Sequence, residues 1–162
     1  YEGDNFTNKL NLIMRKNFFT KIILLFIIIP PLSSFADENA KEKKVAKYVM
    51  ENIQKDYVNC YSFYKVAAQS FKNAGKDKSI IDSLENSADV SLKYNYDLGE
   101  IMGLNPEVMS QMTKDNVEKF VKLAKKDFSL LAKDYGIMCK NLVENPEQRT
   151  NFWEEKGKKK FK

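Results

Sequence analysis

An apolar stripe that repeats every seven residues between Asp115 and Val143 limits most strongly how this chain can fold. The stripe consists of two interleaved series, Val117, Ala124, Leu131, Met138 and Val121, Phe128, Tyr135, Leu142. Lysines and acids fill most of the remaining positions. This spacing is typical of an amphipathic helix, here roughly eight turns long. Because its apolar side cannot remain in water, other helices are expected to cover it.

Two further long helices are predicted before this stretch. The first, residues 40–74, carries a similar stripe and ends at Gly75. Its two series are Ala46, Ile53, Cys60, Ala67, Ala74 and Met50, Tyr57, Tyr64, Phe71. The second runs from Lys78 to about Met102, and its inner face is smaller and more polar. That face includes Ala88, Ser91 and Asn95.

Helix-start signals follow at two places. Asn105 suits a helix N-cap and Pro106 the first helical position, and the chain beyond either bends at Met112–Thr113 or continues as one helix. Asn145 and Pro146 repeat the signal and predict a short terminal helix, residues 146–156, which Gly157 ends. Residues 157–162 are then a loose basic tail. The predicted fold is an all-α, up-down bundle of three long helices plus a short C-terminal helix.

The amino-terminal third is predicted to be an export signal. Arg15, Lys16 and Lys21 precede the apolar run 22–29, and the small residues Ser34 and Ala36 mark a cleavage site. Residues 14–36 are therefore expected to be a secretory signal peptide, and residues 1–13 an upstream, non-native extension. Residues 37–162 are expected to form one domain, which is periplasmic after cleavage near Ala36 and has no stable membrane span.

The chain has two cysteines, Cys60 and Cys139, and an exported protein is expected to pair them. In an up-down-up arrangement the first and third long helices run parallel. Each cysteine lies beyond the midpoint of its helix, so the two are expected at similar positions along the axis of the bundle. The bridge closes a loop of about 80 residues, for which the chain-entropy model gives roughly 4.5 kcal/mol of stability.

Histidine is absent from the sequence. Its absence removes the commonest catalytic acid–base, the histidine-containing triads, and the usual zinc and haem ligands. No nucleophile motif, phosphate loop or calcium loop is present either. We therefore expect that the protein is not an enzyme and that it carries no cofactor or metal.

Positive charge is concentrated at the carboxyl end. From Asp37 onward there are 23 basic against 20 acidic residues, and five of the lysines lie in the last seven positions. A nucleic-acid partner requires a basic face and is not expected. A weak contact of Lys158, Lys159, Lys160 and Lys162 with an anionic surface is an expectation, with a solvated tail as the simpler alternative.

Two groups of residues are candidates for contact with a partner or ligand. Arg149 and Trp153 are four residues apart and share a helical face, which suits stacking of the guanidinium on the indole. The simpler alternative is a lid on the end of the bundle, with Arg149 paired to Glu144 or another acid. Tyr61 and Phe63 lie off the apolar stripe, so they are expected to line a groove or a partner face.

Cys139, Pro146, Arg149 and Trp153, together with Cys60 and Tyr61, form a pattern that resembles small exported helical proteins of proteobacteria. The resemblance implies a helical fold with paired cysteines and no particular activity. The expected function is an exported, non-enzymatic binding or interaction protein whose partner is an envelope protein or a small ligand. The alternative is a carrier or sensor that holds an apolar ligand between helices, near Ala88, Ser91 and Asn95.

Overall fold

The computed structural model describes residues 35–162, in which four helices and no strands are found. These are α1 (Phe35–Asn73), α2 (Lys78–Ile101), α3 (Pro106–Glu144) and α4 (Pro146–Lys160). The predicted all-α fold is confirmed for this part of the chain. The predicted extension, residues 1–13, and all but the end of the predicted signal peptide lie outside the described residues. Residues 41–162 form one compact unit, to which the packing below refers.

Glycines in the left-handed region end the first two helices. Gly75 has φ 64°, and the N–H of Lys76 donates to the carbonyl of Phe71 at 3.0 Å. Gly103 has φ 70°, and Leu104 donates in the same way to Gly99 at 2.9 Å. Each turn thus satisfies carbonyls that the helix end would leave unpaired. The predicted stops near Ala74 and Met102 are confirmed.

Helix α1 is buried on almost every side between residues 53 and 68, rather than along a single stripe. Even the polar side chains of Gln54, Asp56 and Ser62 are buried there. The reason is that α1 contacts each of the other helices. Its Tyr57 stacks on Tyr94 of α2 at 5.1 Å between centroids, and its other faces meet α3 and α4. Helix α1 is the centre of the fold.

The predicted continuous helix over residues 115–143 is wrong, because α3 reverses at Asp127. The backbone there is extended, with φ −161° and ψ 102°. The rings of Phe120 and Tyr135 are 4.6 Å apart between centroids, whereas fifteen residues of straight helix would span about 22 Å. Helix α3 is therefore a hairpin of two arms, which we call the first arm (residues 106–126) and the second arm (residues 128–144).

The carboxylate of Asp127 caps the second arm. Its Oδ1 accepts the N–H of Ser129 at 2.8 Å, the hydroxyl of Ser129 at 2.6 Å and the N–H of Leu130 at 3.4 Å. These bonds satisfy donors that the start of a helix leaves unpaired. The alternative bend at Met112–Thr113 is not observed, since Thr113 lies within the helix and its hydroxyl donates to the carbonyl of Met109.

The arms run in opposite directions along α1. Asn116 of the first arm donates to Ser62 at 2.9 Å. The ring of Phe128, which directly follows the turn at the end of the first arm, lies 6.2 Å from that of Phe71. The first arm therefore runs parallel to α1. The second arm returns to Cys60, where the predicted disulfide to Cys139 is present with a Cα–Cα distance of 5.2 Å. The pairing is confirmed, but the helix segments that it joins are antiparallel, not parallel as expected.

Helix α4 continues the direction of the second arm and does not end at Gly157 as predicted. It runs to Lys160, and Gly157 is buried against α1. A Cβ added to Gly157 would lie 3.1 Å from Cγ1 of Val45, so the missing side chain lets α4 approach α1 closely. Phe161 packs edge-on against Tyr48 at 5.9 Å. The predicted loose tail is thus mostly helix, packed on the central helix.

Candidate functional site

A buried carboxylate of α1 holds the candidate residues Arg149 and Trp153. The side chain of Asp56 is 8% exposed. Its Oδ2 accepts the Nε–H of Arg149 and the indole N–H of Trp153, both at 2.6 Å, while Oδ1 accepts a second guanidinium N–H of Arg149 at 3.2 Å. A carboxylate that accepts a bidentate arginine and an indole has its oxygens well satisfied. The group therefore fastens α4 to α1.

The predicted stacking of Arg149 on Trp153 is present. The guanidinium carbon lies 4.9 Å from the Trp153 ring centroid and 4.4 Å from that of Phe152. The acid that pairs with Arg149 is Asp56, not Glu144. Because two guanidinium nitrogens of Arg149 and the indole nitrogen of Trp153 are bonded to Asp56, this arrangement favours the lid over a free ligand contact. Sequence reasoning missed Asp56, since nothing near it in the sequence indicates burial.

The expected position of Phe63 on an outer face is wrong. Phe63 is 6% exposed and belongs to the core, where its ring lies 5.4 Å from that of Tyr64. Tyr61 is partly buried and packs against the same core. Because α1 is surrounded by the other helices, positions off its apolar stripe face neighbouring helices instead of solvent.

An apolar surface that sequence analysis missed lies on the outer side of the second arm. Leu130 is 56% exposed and Ile137 is 75% exposed. Their spacing of seven residues within one arm places them on the same side of it. Exposed Lys133, Asp134 and Lys140 surround them. We call these five residues the partner face; the seven-residue spacing of Leu130 and Ile137 outside the main stripe was the available signal.

Two open grooves run along the first arm. One, of about 440 Å³, lies between α1 and the first arm, and Val58 and Met112 line it beside Lys55, Asp115 and Lys119. The other, of about 420 Å³, continues along the first arm and shares Asp115 and Lys119 with the first. Both are open to solvent, and neither is lined by the residues around Ala88 where an interhelical ligand was expected.

A polar cluster is buried where α1, α2 and the first arm meet. The amide nitrogen of Asn95 donates to the hydroxyl of Thr113 at 3.3 Å. The Asn95 Oδ1 and the Gln54 Nε2 are buried without a partner. Gln54 Nε2 lies 3.2 Å from the position of a Cβ added to Gly99, one turn beyond Asn95. One acceptor and one donor are therefore left unpaired in the core, at a cost in stability.

Burial shifts the tyrosines of the core towards their neutral form. It raises the pKa of Tyr64 to about 12, with a further increase from the charge of Glu144 and a decrease from a hydrogen bond with Ser87. Burial also raises the pKa of Tyr57, Tyr94 and Tyr135. Neutral phenols of this kind serve packing and hydrogen bonding better than proton abstraction near neutral pH.

Within residues 35–162, no group of three or more metal-binding side chains comes together. None of the helices in this part of the chain is both long and apolar enough to cross a membrane. Comparison with known proteins finds no matching family, curated protein or solved structure.

Proposed function

We propose that the protein is an exported, non-enzymatic helical protein that binds a partner in the bacterial periplasm through the partner face. The observation that carries this proposal is the exposure of Ile137 and Leu130 on the same side of the second arm, two helical turns apart. Large exposed aliphatic side chains cost free energy in water, and several of them on one side of a folded surface are typical of interaction sites. A partner that covers them removes this cost.

The surroundings of the two side chains resemble the anatomy of a protein interface. Leu130 and Ile137 form an apolar centre, and Lys133, Asp134 and Lys140 form a charged rim. Protein interfaces commonly combine an apolar centre with a polar, solvent-accessible rim. Charges of both signs at the rim favour a partner with complementary charges, since rim charges set orientation and partner choice.

Export is supported by two independent features. The run 22–29 with basic residues before it has the layout of a signal peptide. The disulfide between Cys60 and Cys139, both fully buried, suits an oxidising compartment. The absence of histidine from the whole sequence supports a binding role over a catalytic one.

Site-specific photo-crosslinking in the periplasm tests the proposal. A photoreactive residue at Ile137 is expected to form a discrete adduct with one envelope protein, and the same residue at Glu85, exposed on α2, is expected to form none. Replacing Leu130 with Lys should remove the adduct at Ile137 without changing stability, because the side chain is mostly exposed. Equal labelling from both positions, or no adduct at Ile137, would contradict the proposal.

A carrier of a small ligand between helices is the second candidate. It is supported by the two buried atoms without a hydrogen-bond partner, Asn95 Oδ1 and Gln54 Nε2, which polar groups of a ligand would satisfy. Ala88 and Ser91, where an apolar ligand was expected, are fully buried between the helices. A carrier is expected to gain thermal stability from a periplasmic extract of small molecules, and replacing Asn95 with Leu should abolish that gain. Unchanged melting of the wild type would remove this candidate.

A further inference from the structure

Four aromatic rings form a continuous row where α4 lies on α1. Phe152 meets Trp153 at 5.0 Å between centroids, Trp153 meets Tyr48 at 6.0 Å, and Tyr48 meets Phe161 at 5.9 Å. All three pairings are edge-on, and Phe152 at the end of the row is 39% exposed. We call these four residues the ring row. The ring row is packed against α1 through Tyr48 and is partly exposed at Phe152.

Two lysines one helical turn apart lie over the ring row. The Nζ of Lys156 is 4.6 Å from the centroid of Phe152 and 5.3 Å from that of Trp153. The Nζ of Lys160 is 4.7 Å from the centroid of Tyr48 and 5.5 Å from that of Phe161. Contact with the rings limits the rotamers of both lysines, so less entropy is lost when their charges meet an anion.

The remaining charges of this part of α4 leave an excess of positive charge. From Phe152 to the end of the chain there are five lysines and two acids. One acid, Glu154, pairs with Lys158 at 2.5 Å, which withdraws Lys158 from other anions. By helical spacing Lys158 lies on the side of α4 away from Lys156 and Lys160. The available charge is thus concentrated beside the rings.

We propose that the ring row with Lys156 and Lys160 is a docking face for the surface of a bilayer that contains anionic phospholipid. Lysines reach phosphate groups while aromatic rings settle at the level of the headgroups, and this combination characterises interfacial helices. The partly exposed ring of Phe152 supplies an apolar contact that a purely electrostatic site for a soluble anion does not require. The expected Lys158 contact belongs to the other side of α4 and plays no part in this face.

Vesicle binding of the protein, purified as the cell processes it, tests the docking face. The protein is expected to co-sediment with vesicles of phosphatidylcholine and phosphatidylglycerol, but not with phosphatidylcholine alone. A lysine near an anionic surface contributes about 1 kcal/mol, or roughly fivefold in partitioning. K156Q/K160Q should therefore weaken partitioning by about 25-fold. The matched control K158Q/K162Q removes the same charge from the same end of the chain and should weaken it by less than about fivefold.

Two further variants separate docking from folding and from simple charge attraction. K156R/K160R keeps the charge and should retain binding, and melting curves of the lysine variants should match the wild type because these side chains are exposed. F152A should weaken binding at constant charge. Equal loss in K156Q/K160Q and K158Q/K162Q, or equal binding to neutral vesicles, would overturn the proposal. Binding of polyphosphate with the same variant dependence but without vesicle binding would also overturn it, assigning the face to a soluble anionic polymer.

The docking face and the partner face share no residue. K156Q/K160Q should leave the adduct at Ile137 in place in a detergent extract, where no bilayer is present. Loss of vesicle binding and loss of the adduct therefore report separately on the two surfaces.

Discussion

Replacing Asp56 with Asn should destabilise the protein substantially, because it places an amide where a buried carboxylate accepts three hydrogen bonds. At least one amide N–H would then face the N–H groups of Arg149 or Trp153, which now donate at 2.6–3.2 Å. A lost hydrogen bond to a charged group costs about 1.5–3 kcal/mol, and breaking a fully buried ion pair about 3–5 kcal/mol. Because the Arg149 side chain is 24% exposed and can recover some solvation, we expect about 2–3 kcal/mol.

Urea unfolding followed by the fluorescence of Trp153 measures this loss, since the chain has one tryptophan and it contacts Asp56. For a domain of this size the loss corresponds to a melting temperature lower by roughly 10 °C. Asp82→Asn is the matched control, because Asp82 forms an exposed pair with Lys78 at 3.8 Å and its loss should change stability by less than about 0.5 kcal/mol. If both substitutions had the same small effect, Asp56 would not be what fastens α4 to α1.

Three other variants and one titration test the packing. C60S/C139S should lower the free energy of unfolding by about 4.5 kcal/mol in urea titrations, because the disulfide joins cysteines 79 residues apart and so restricts the unfolded chain. A loss below about 1 kcal/mol would refute this entropic explanation of the disulfide's stabilising effect. Gly136→Ala should stabilise the second arm by up to about 1 kcal/mol, because the nearest atom to the added methyl is 3.8 Å away. Gly157→Ala should give no gain in stability, because Cγ1 of Val45 would lie 3.1 Å from the added methyl. Equal gains in melting temperature at both positions would contradict the close packing of α4 on α1. Ultraviolet titration should show four phenols ionising late, with Tyr64 near pH 12. Their folded-state pKa values are raised, so their contribution to stability is complete below the unfolded value of about 10 and falls as the pH rises through the folded values. A free energy of unfolding that stays constant as the pH rises above about 10 would refute this contribution of the buried phenols.

Local signals in the sequence predicted the ends of the first two helices and the start of α3 well. Gly75 and Gly103 adopt the positive φ that a helix stop requires, and Asn105 accepts the N–H of Glu107 at 2.7 Å as an N-cap should. These features depend on a few adjacent residues, so the sequence contains most of the information needed to recognise them. The pairing of the cysteines was predicted from the expected export and from there being only two of them.

The reversal at Asp127 could not be read from periodicity. Both arms of the hairpin need an apolar stripe, so the seven-residue repeat continues through the turn. No glycine or proline marks the turn; the signals are Lys125 and Lys126 before a capping Asp127, and these also occur inside exposed helices. The reversal is what brings Cys139 back to Cys60.

Positions that depend on neighbouring helices were also inaccessible to local reasoning. Phe63 is buried because α1 is central, and Gly157 lies inside a helix because α1 offers it a close surface. The burial of Asp56 depends on Arg149 and Trp153, more than ninety residues away along the chain. Each of these outcomes is set by tertiary contact, which overrides the local preference of a residue.

The mass of the intact protein from the cell envelope, measured before and after reduction and alkylation, tests most directly that this is an exported bundle closed by a disulfide. The expected mass begins at Asp37, is about 2 Da below that of the reduced chain, and gains two alkyl groups only after reduction. A protein that retains the residues before Asp37 and alkylates at both Cys60 and Cys139 without reduction would contradict export and the disulfide together.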